Sequence, residues 1–218
     1  MNKEWSELNK TMQAQIKKKE TYQTGLETLS ALRSSLMDTI MNFYDELDRQ
    51  EFNAMPFINA DGYHSKSVAY SLWHIFRIED IVAHTLINGD EQVFFSGGYQ
   101  RRINSPIITT GNELVKQQIA EFSSALDIKE LLSYIVEVRE STEAVLKQLP
   151  FEELRRKVSE ERRERLKSLN VVSEDENAVW LIDYWCGKDI RGLIQMPFSR
   201  HWIMHIEASL RIKNRIHP

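Results

Sequence analysis

The chain has 218 residues, a mass of 25.6 kDa, a net charge of −4 and a pI near 5.9, with 42% hydrophobic and 28% charged residues. That balance suits a globular chain in water, and the acidic surplus argues against the basic face that general nucleic-acid binding needs. No apolar run approaches the roughly 20 residues of a membrane helix, Met1-Asn2-Lys3-Glu4-Trp5 lacks the apolar segment of a secretory signal, and the single Cys186 rules out an internal disulfide framework.

The expected compartment is therefore a reducing cytoplasm, and the expected organisation is one domain over residues 1–218. Gly and Pro are scarce, at 8 and 5, and helix-start signals recur, which predicts an all-α chain. Residues 1–20 read as a polar helix, an N-terminal appendage. Leu26, Leu29, Leu32, Leu36, Ile40 and Phe43 recur at helical spacing and predict a long helix over residues 21–49. Pro56, Asn59, Asp61 and Gly62 make residues 51–65 a loop. A second long helix runs from Ser67 to Ile87 and closes at Asn88-Gly89. Residues 88–110, with Gly97-Gly98 and Pro106, form another connection. Thr110-Gly111-Asn112-Glu113 has capping-box spacing and predicts a short helix. Asp127 with Glu130 repeats that signal before a third long helix, which Pro150 ends. In residues 151–170, Arg155-Arg156-Lys157, Glu160-Glu161 and Arg162-Arg163 alternate in sign, which reads as a solvated helix braced at i, i+3 and i+4. Ser173 with Glu176 introduces a helix rich in Trp180, Tyr184 and Trp185 that Gly187 stops. Pro197 suits the first turn of a last helix reaching Asn214. Four long helices with shorter extra ones predict an antiparallel four-helix bundle, whose sites are built from inward side chains of facing helices.

Histidine carries the chemistry in this pattern. Residues four apart on a helix project about 40° from one another, so His201 and His205 can reach one ion together. Phe198, Ala208 and Ile212 share their face, and Arg200, Glu207 and Arg211 mark the solvent edge. On the second helix His74 shares a face with Ile78 and Ile81, whereas Arg77, Asp80 and His84 fall on the outer side. Inward imidazoles are either hydrogen-bonded core residues or metal ligands. His84 is rotated about 80° from His74, so the two cannot share an ion. His64 stands in a loop at the mouth of the second helix, facing a site or water, and His217 is near-terminal. Trp202 follows His201, which excludes the His-Glu-x-x-His signature of zinc proteases, and the absence of paired Glu-x-x-His motifs disfavours a di-iron centre. Cys186 among aromatics reads as a small core residue. Glu79 lies on an apolar arc and is expected to pair with an Arg or Lys of a neighbouring helix. Tyr70 is expected to line the pocket, with Phe198, Trp202 and Tyr184 as its apolar wall.

Ser71-Leu72-Trp73-His74-Ile75 followed by Glu79-Asp80, with His201-x-x-x-His205 near the C-terminus, resembles the DinB-like superfamily and its YfiT-like members, over residues 21–214. The resemblance implies an up-down-down-up four-helix bundle, usually a homodimer, holding a divalent metal, zinc or nickel, on His74, His201 and His205. It also implies a thiol S-transferase that joins a low-molecular-weight thiol such as bacillithiol, mycothiol or glutathione to a small-molecule electrophile. Some members carry a hydrolase label instead, and a helical binding protein is the non-enzymatic alternative. The family's name does not imply DNA binding here. Residues 151–196 and the N-terminus exceed the family's compact core, which leaves the lid and the substrate open. No residue matches a catalytic base.

Overall fold

Apolar residues at three- and four-residue spacing build long helices wherever Gly and Pro are absent, and the computed structural model, which describes residues 2–217, follows that rule. In chain order the helices are α1 (Lys3–Gln15), α2 (Tyr22–Glu46), α3 (Arg49–Asn53), α4 (Val68–Asp80), α5 (Val93–Ser96), α6 (Tyr99–Arg102), α7 (Gln117–Ala125), α8 (Ile128–Gln148), α9 (Glu160–Ser168), α10 (Trp180–Cys186), α11 (Ile190–Gln195) and α12 (His201–Ile216). A π-helical segment, Ile81–Asn88, continues α4, and a π-helical turn, Met196–Arg200, joins α11 to α12. The fold is all-α; among the described residues no strand forms, only an isolated bridge between Lys157 and Asp189.

The bundle consists of α2, α4, α8 and α12, and cross-helix pairs fix their directions. Arg33, midway along α2, donates to the Phe198 carbonyl and Lys213 reaches Glu46 at its C-terminal end, so α2 and α12 run parallel. Tyr134 bonds Asp80 and Ser141 meets His84, so α4 and α8 also run parallel. Glu79 accepts from the Trp202 indole while His74 meets His205, which makes α4 and α12 antiparallel. The order is up-down-down-up, and a parallel pair demands a long crossover; residues 89–127 supply it.

That crossover explains why α4 is buried on every side. All thirteen of its residues are inaccessible, including Arg77 and Asp80 at 0% exposure. The expectation that Arg77, Asp80 and His84 face water is therefore overturned. Asp80 accepts from the Val93 and Phe94 amides, capping α5, and Arg77 donates to the Ile108 carbonyl. His84 bonds Asp90 at 2.7 Å and Ser141 at 3.0 Å. These polar groups are buried because the crossover brings partners to them.

Other local signals were spent differently. Asp127 caps α8 through the Glu130 amide, as its spacing predicts. Thr110–Glu113 opens no helix: the chain turns through Gly111 and reaches α7 only at Gln117, with Lys116 at φ 46°. Ser173 and Glu176 cap nothing helical either, and α10 starts at Trp180. Residues 51–65 hold the end of α3 and a 3-10 turn at Gly62–Ser65. The α9 region carries the predicted pairs, such as Lys167 with Glu164. Three arginines of this region reach across to the end of the π segment instead. Arg156, Arg162 and Arg165 donate to the carbonyls of Ile87, Asn88, Gly89 and Asp90, the unpaired end of the π segment. The polar helix α1 lies along α2 and buries Trp5 and Met12.

Candidate metal centre

His74 on α4 and His201 and His205 on α12 converge inside the bundle. Their ring centroids are 4.6–5.0 Å apart, and one ring nitrogen from each lies within 4.8 Å of the others. All three are buried, at 5%, 7% and 2% exposure. His84 is held elsewhere by Asp90 and Ser141, His64 accepts from Arg211 at 2.8 Å, and His217 pairs with Glu51. The predicted trio assembles and the other histidines stay out of it.

Each imidazole has a distinct support. The His74 Nδ1 lies 2.7 Å from the Thr110 carbonyl oxygen, which can only accept, so Nδ1 carries the proton and Nε2 keeps its lone pair. Tyr70 stacks on the His74 ring at 5.5 Å and donates to the Gly111 carbonyl at 2.8 Å, holding the turn that follows Thr110 in place. Gly111 sits at φ +76°, with the Tyr70 ring 3.1 Å from where a Cβ would stand. The segment read as a helix start is thus the support that fixes the tautomer of a ligand, a role typical of partners behind metal-bound histidines. Tyr63 packs edge-on against His205 at 4.8 Å.

The donor set fits a metal. His201 Nδ1 and both nitrogens of His205 are buried without a hydrogen-bond partner, a cost of about 1–3 kcal/mol for each such group if nothing binds there. Zinc–nitrogen bonds of about 2.1 Å require donors about 3.4 Å apart at a tetrahedral angle, a contraction of order 1 Å within reach of side-chain rotation. Burial drives the basicities down, aided by the Lys66 charge at His74 and by the neighbouring rings at His201 and His205: His74 to about 4, His201 and His205 well below the usual histidine value. All three are neutral at pH 7 and can donate lone pairs.

Glu79 does what its position predicts. Its carboxylate takes two hydrogen bonds from Arg33, at 2.7 and 2.9 Å, both side chains fully buried, and a third from the Trp202 indole at 2.8 Å. The Arg33 guanidinium also stacks over Trp202 at 4.4 Å. This cluster ties α2 and α4 to the start of α12, next to His201. The π-helical turn before His201 contains Pro197, which lacks the amide proton an α-helical ladder needs.

A cavity of about 210 Å³ opens onto His74 and His201, walled by Tyr63, Trp180, Tyr184, Trp185 and Pro197, with Asn112 as its side-chain amide. Tyr184 forms wall as expected, whereas Phe198 and Trp202 are packed in the core and Tyr70 supports His74 from behind. Asn112 accepts from the Thr110 hydroxyl through Oδ1, which leaves its NH₂ free.

No family model matches the chain, and no curated protein matches it. Among solved structures, the crystal structure of a conserved protein from Enterococcus faecalis superposes with a TM-score of 0.56 at 18% identity, covering 88% of this chain and 94% of that one. At that identity the likeness concerns the fold alone.

Proposed function

We propose that the protein is a metal-dependent enzyme, of the kind the DinB-like resemblance implies, that transfers a low-molecular-weight thiol to a small electrophile. The observation that carries this reading is the buried trio itself, with three ring nitrogens left without partners beneath a substrate-sized cavity. A divalent ion there, zinc or nickel, would keep an open position and its full charge among neutral ligands, which ionises a thiol placed beside it.

The rest falls to the chain's own residues. Thr110 and Tyr70 hold His74 in the tautomer that exposes Nε2. Trp180, Trp185 and Tyr184 exclude water from the reacting atoms, and the Asn112 NH₂ offers a hydrogen bond to a polar group of the electrophile. Among the described residues no carboxylate lines the cavity, so none stands there as a general base for hydrolysis. With a chloronitroarene as electrophile, sulfur bonds to the ring carbon, chloride leaves with its electron pair, and the thiol proton passes to solvent.

Protein purified without chelator should contain about one equivalent of zinc or nickel, and His74→Ala and His205→Ala should lose it. Turnover of a chloronitroarene should require both the metal and an added thiol. Turnover of an ester without thiol would favour the hydrolase instead, and metal-free protein that takes up neither ion would exclude both.

A further inference from the structure

The charge around the trio runs against that of the molecule. The chain carries a net charge of −4, yet among the described residues no acidic side chain lines the cavity, and a cation stands against one of its walls. Lys188 places its ammonium 4.1 Å above the ring of Tyr184. Arg200, exposed, immediately precedes His201 on the chain. Tyr63 and Tyr184 both line the cavity, and Lys188 stands beside Tyr184. A third cation, Lys66, lies 5.0 Å over Tyr70, behind His74. Among the described residues none of these three has an acidic side chain within salt-bridge distance. Neighbouring arginines differ: Arg163 is matched by Asp183 and Arg191 by Asp189. Glu113, on the crossover, accepts from the Thr109 hydroxyl through one oxygen and keeps the other buried.

Size and wall chemistry narrow the occupant further. An apolar cavity of about 150 Å³ accepts benzene, so 210 Å³ has room for one substituted ring. Tyr63, Trp180 and Tyr184 are 39%, 49% and 36% exposed, unusual for large aromatics unless their faces meet a ligand.

We propose that the cavity binds a small aromatic anion, with one flat ring in the throat between Tyr63, Trp180 and Tyr184 and a carboxylate or sulfonate at the rim, held by Lys188 and Arg200. This rests on the metal-enzyme reading for its reaction, in which sulfur bonds to the ring carbon of a halogenated aromatic acid, halide leaves with its electron pair and the thiol proton passes to solvent. Its recognition is independent of that reading. Rim cations would also draw such an anion in from solution and make capture salt-dependent.

The test is calorimetric binding of 4-chlorobenzoate, of neutral 4-chlorobenzamide and of acetate to the purified protein, with zinc content measured on the same samples. The proposal expects 4-chlorobenzoate to bind best, acetate not to bind, and Lys188→Glu with Arg200→Glu to cost 4-chlorobenzoate about tenfold or more in affinity with little effect on the benzamide. Trp180→Ala, at an exposed position, should weaken both ring compounds alike. Equal affinity for benzoate and benzamide, benzoate affinity untouched by the rim substitutions, or no ring compound bound at millimolar concentration would each overturn it. Absence of zinc would instead refute the metal enzyme, since the rim substitutions can be read in metal-free protein.

Discussion

Three buried imidazoles packed together are stable only while they stay neutral, and this makes the site a source of acid lability. A histidine that ionises near 6.5 in the unfolded chain and at about 4 in the folded one refuses a proton that the unfolded chain accepts. Stability therefore drops as pH falls from 6.5 towards 4, by about 3 kcal/mol for His74 alone, and His201 and His205 add to the loss with the same sign. Urea midpoints of the metal-free protein should be flat from pH 8 to 7 and decline steeply below about 6.5. His74→Leu should shallow that decline. Saturating zinc should move it to lower pH, because the ion competes with protons for the same lone pairs.

Between helices, two devices hold the trio in register, and each can be broken singly. Gly111→Ala forces an alanine into a left-handed conformation against the Tyr70 ring. The expected stability loss is about 1–2 kcal/mol, with metal affinity falling about 10- to 100-fold as the Thr110 carbonyl leaves His74; zinc titration against a chromophoric chelator reads it. Glu79→Ala leaves a fully buried guanidinium with only Glu143 at 3.9 Å and the Phe198 carbonyl, and should cost about 3 kcal/mol in urea denaturation. Pairing it with Arg33→Met, which removes the stranded charge, should restore a large part. Both devices bear on what could be read in advance. His74, His201 and His205 were legible because each lies in a regular stretch where 100° per residue holds. Glu79 was legible for the same reason. Thr110 and Gly111 were not, because their value lies in a carbonyl and a backbone angle, while their side chains imitate a helix cap. His84 was misplaced twice over: the π segment changes the angular step after Asp80, and the crossover covers a face that a single helix would leave wet.

For the molecule as a whole, the up-down-down-up order was carried by family resemblance, whereas its consequence, a crossover that supplies Thr110 and Asn112 to the site, was not. The arginines of residues 156–165 were hidden in a similar way, since the alternating charges conceal that Arg156, Arg162 and Arg165 terminate another helix. Replacing Arg162 and Arg165 with Gln should speed hydrogen exchange at the amides of residues 84–90 and leave those of α12 unchanged. The trio itself joins distant stretches of chain: His74 comes from the second helix of the bundle, His201 and His205 from the last. An ion shared among them would work as a removable cross-link, closing a large loop as a disulfide does, in a chain with a single cysteine. A chelator would then act on this protein as a reductant acts on a secreted one, setting α12 free and admitting proteases to the C-terminal segment first.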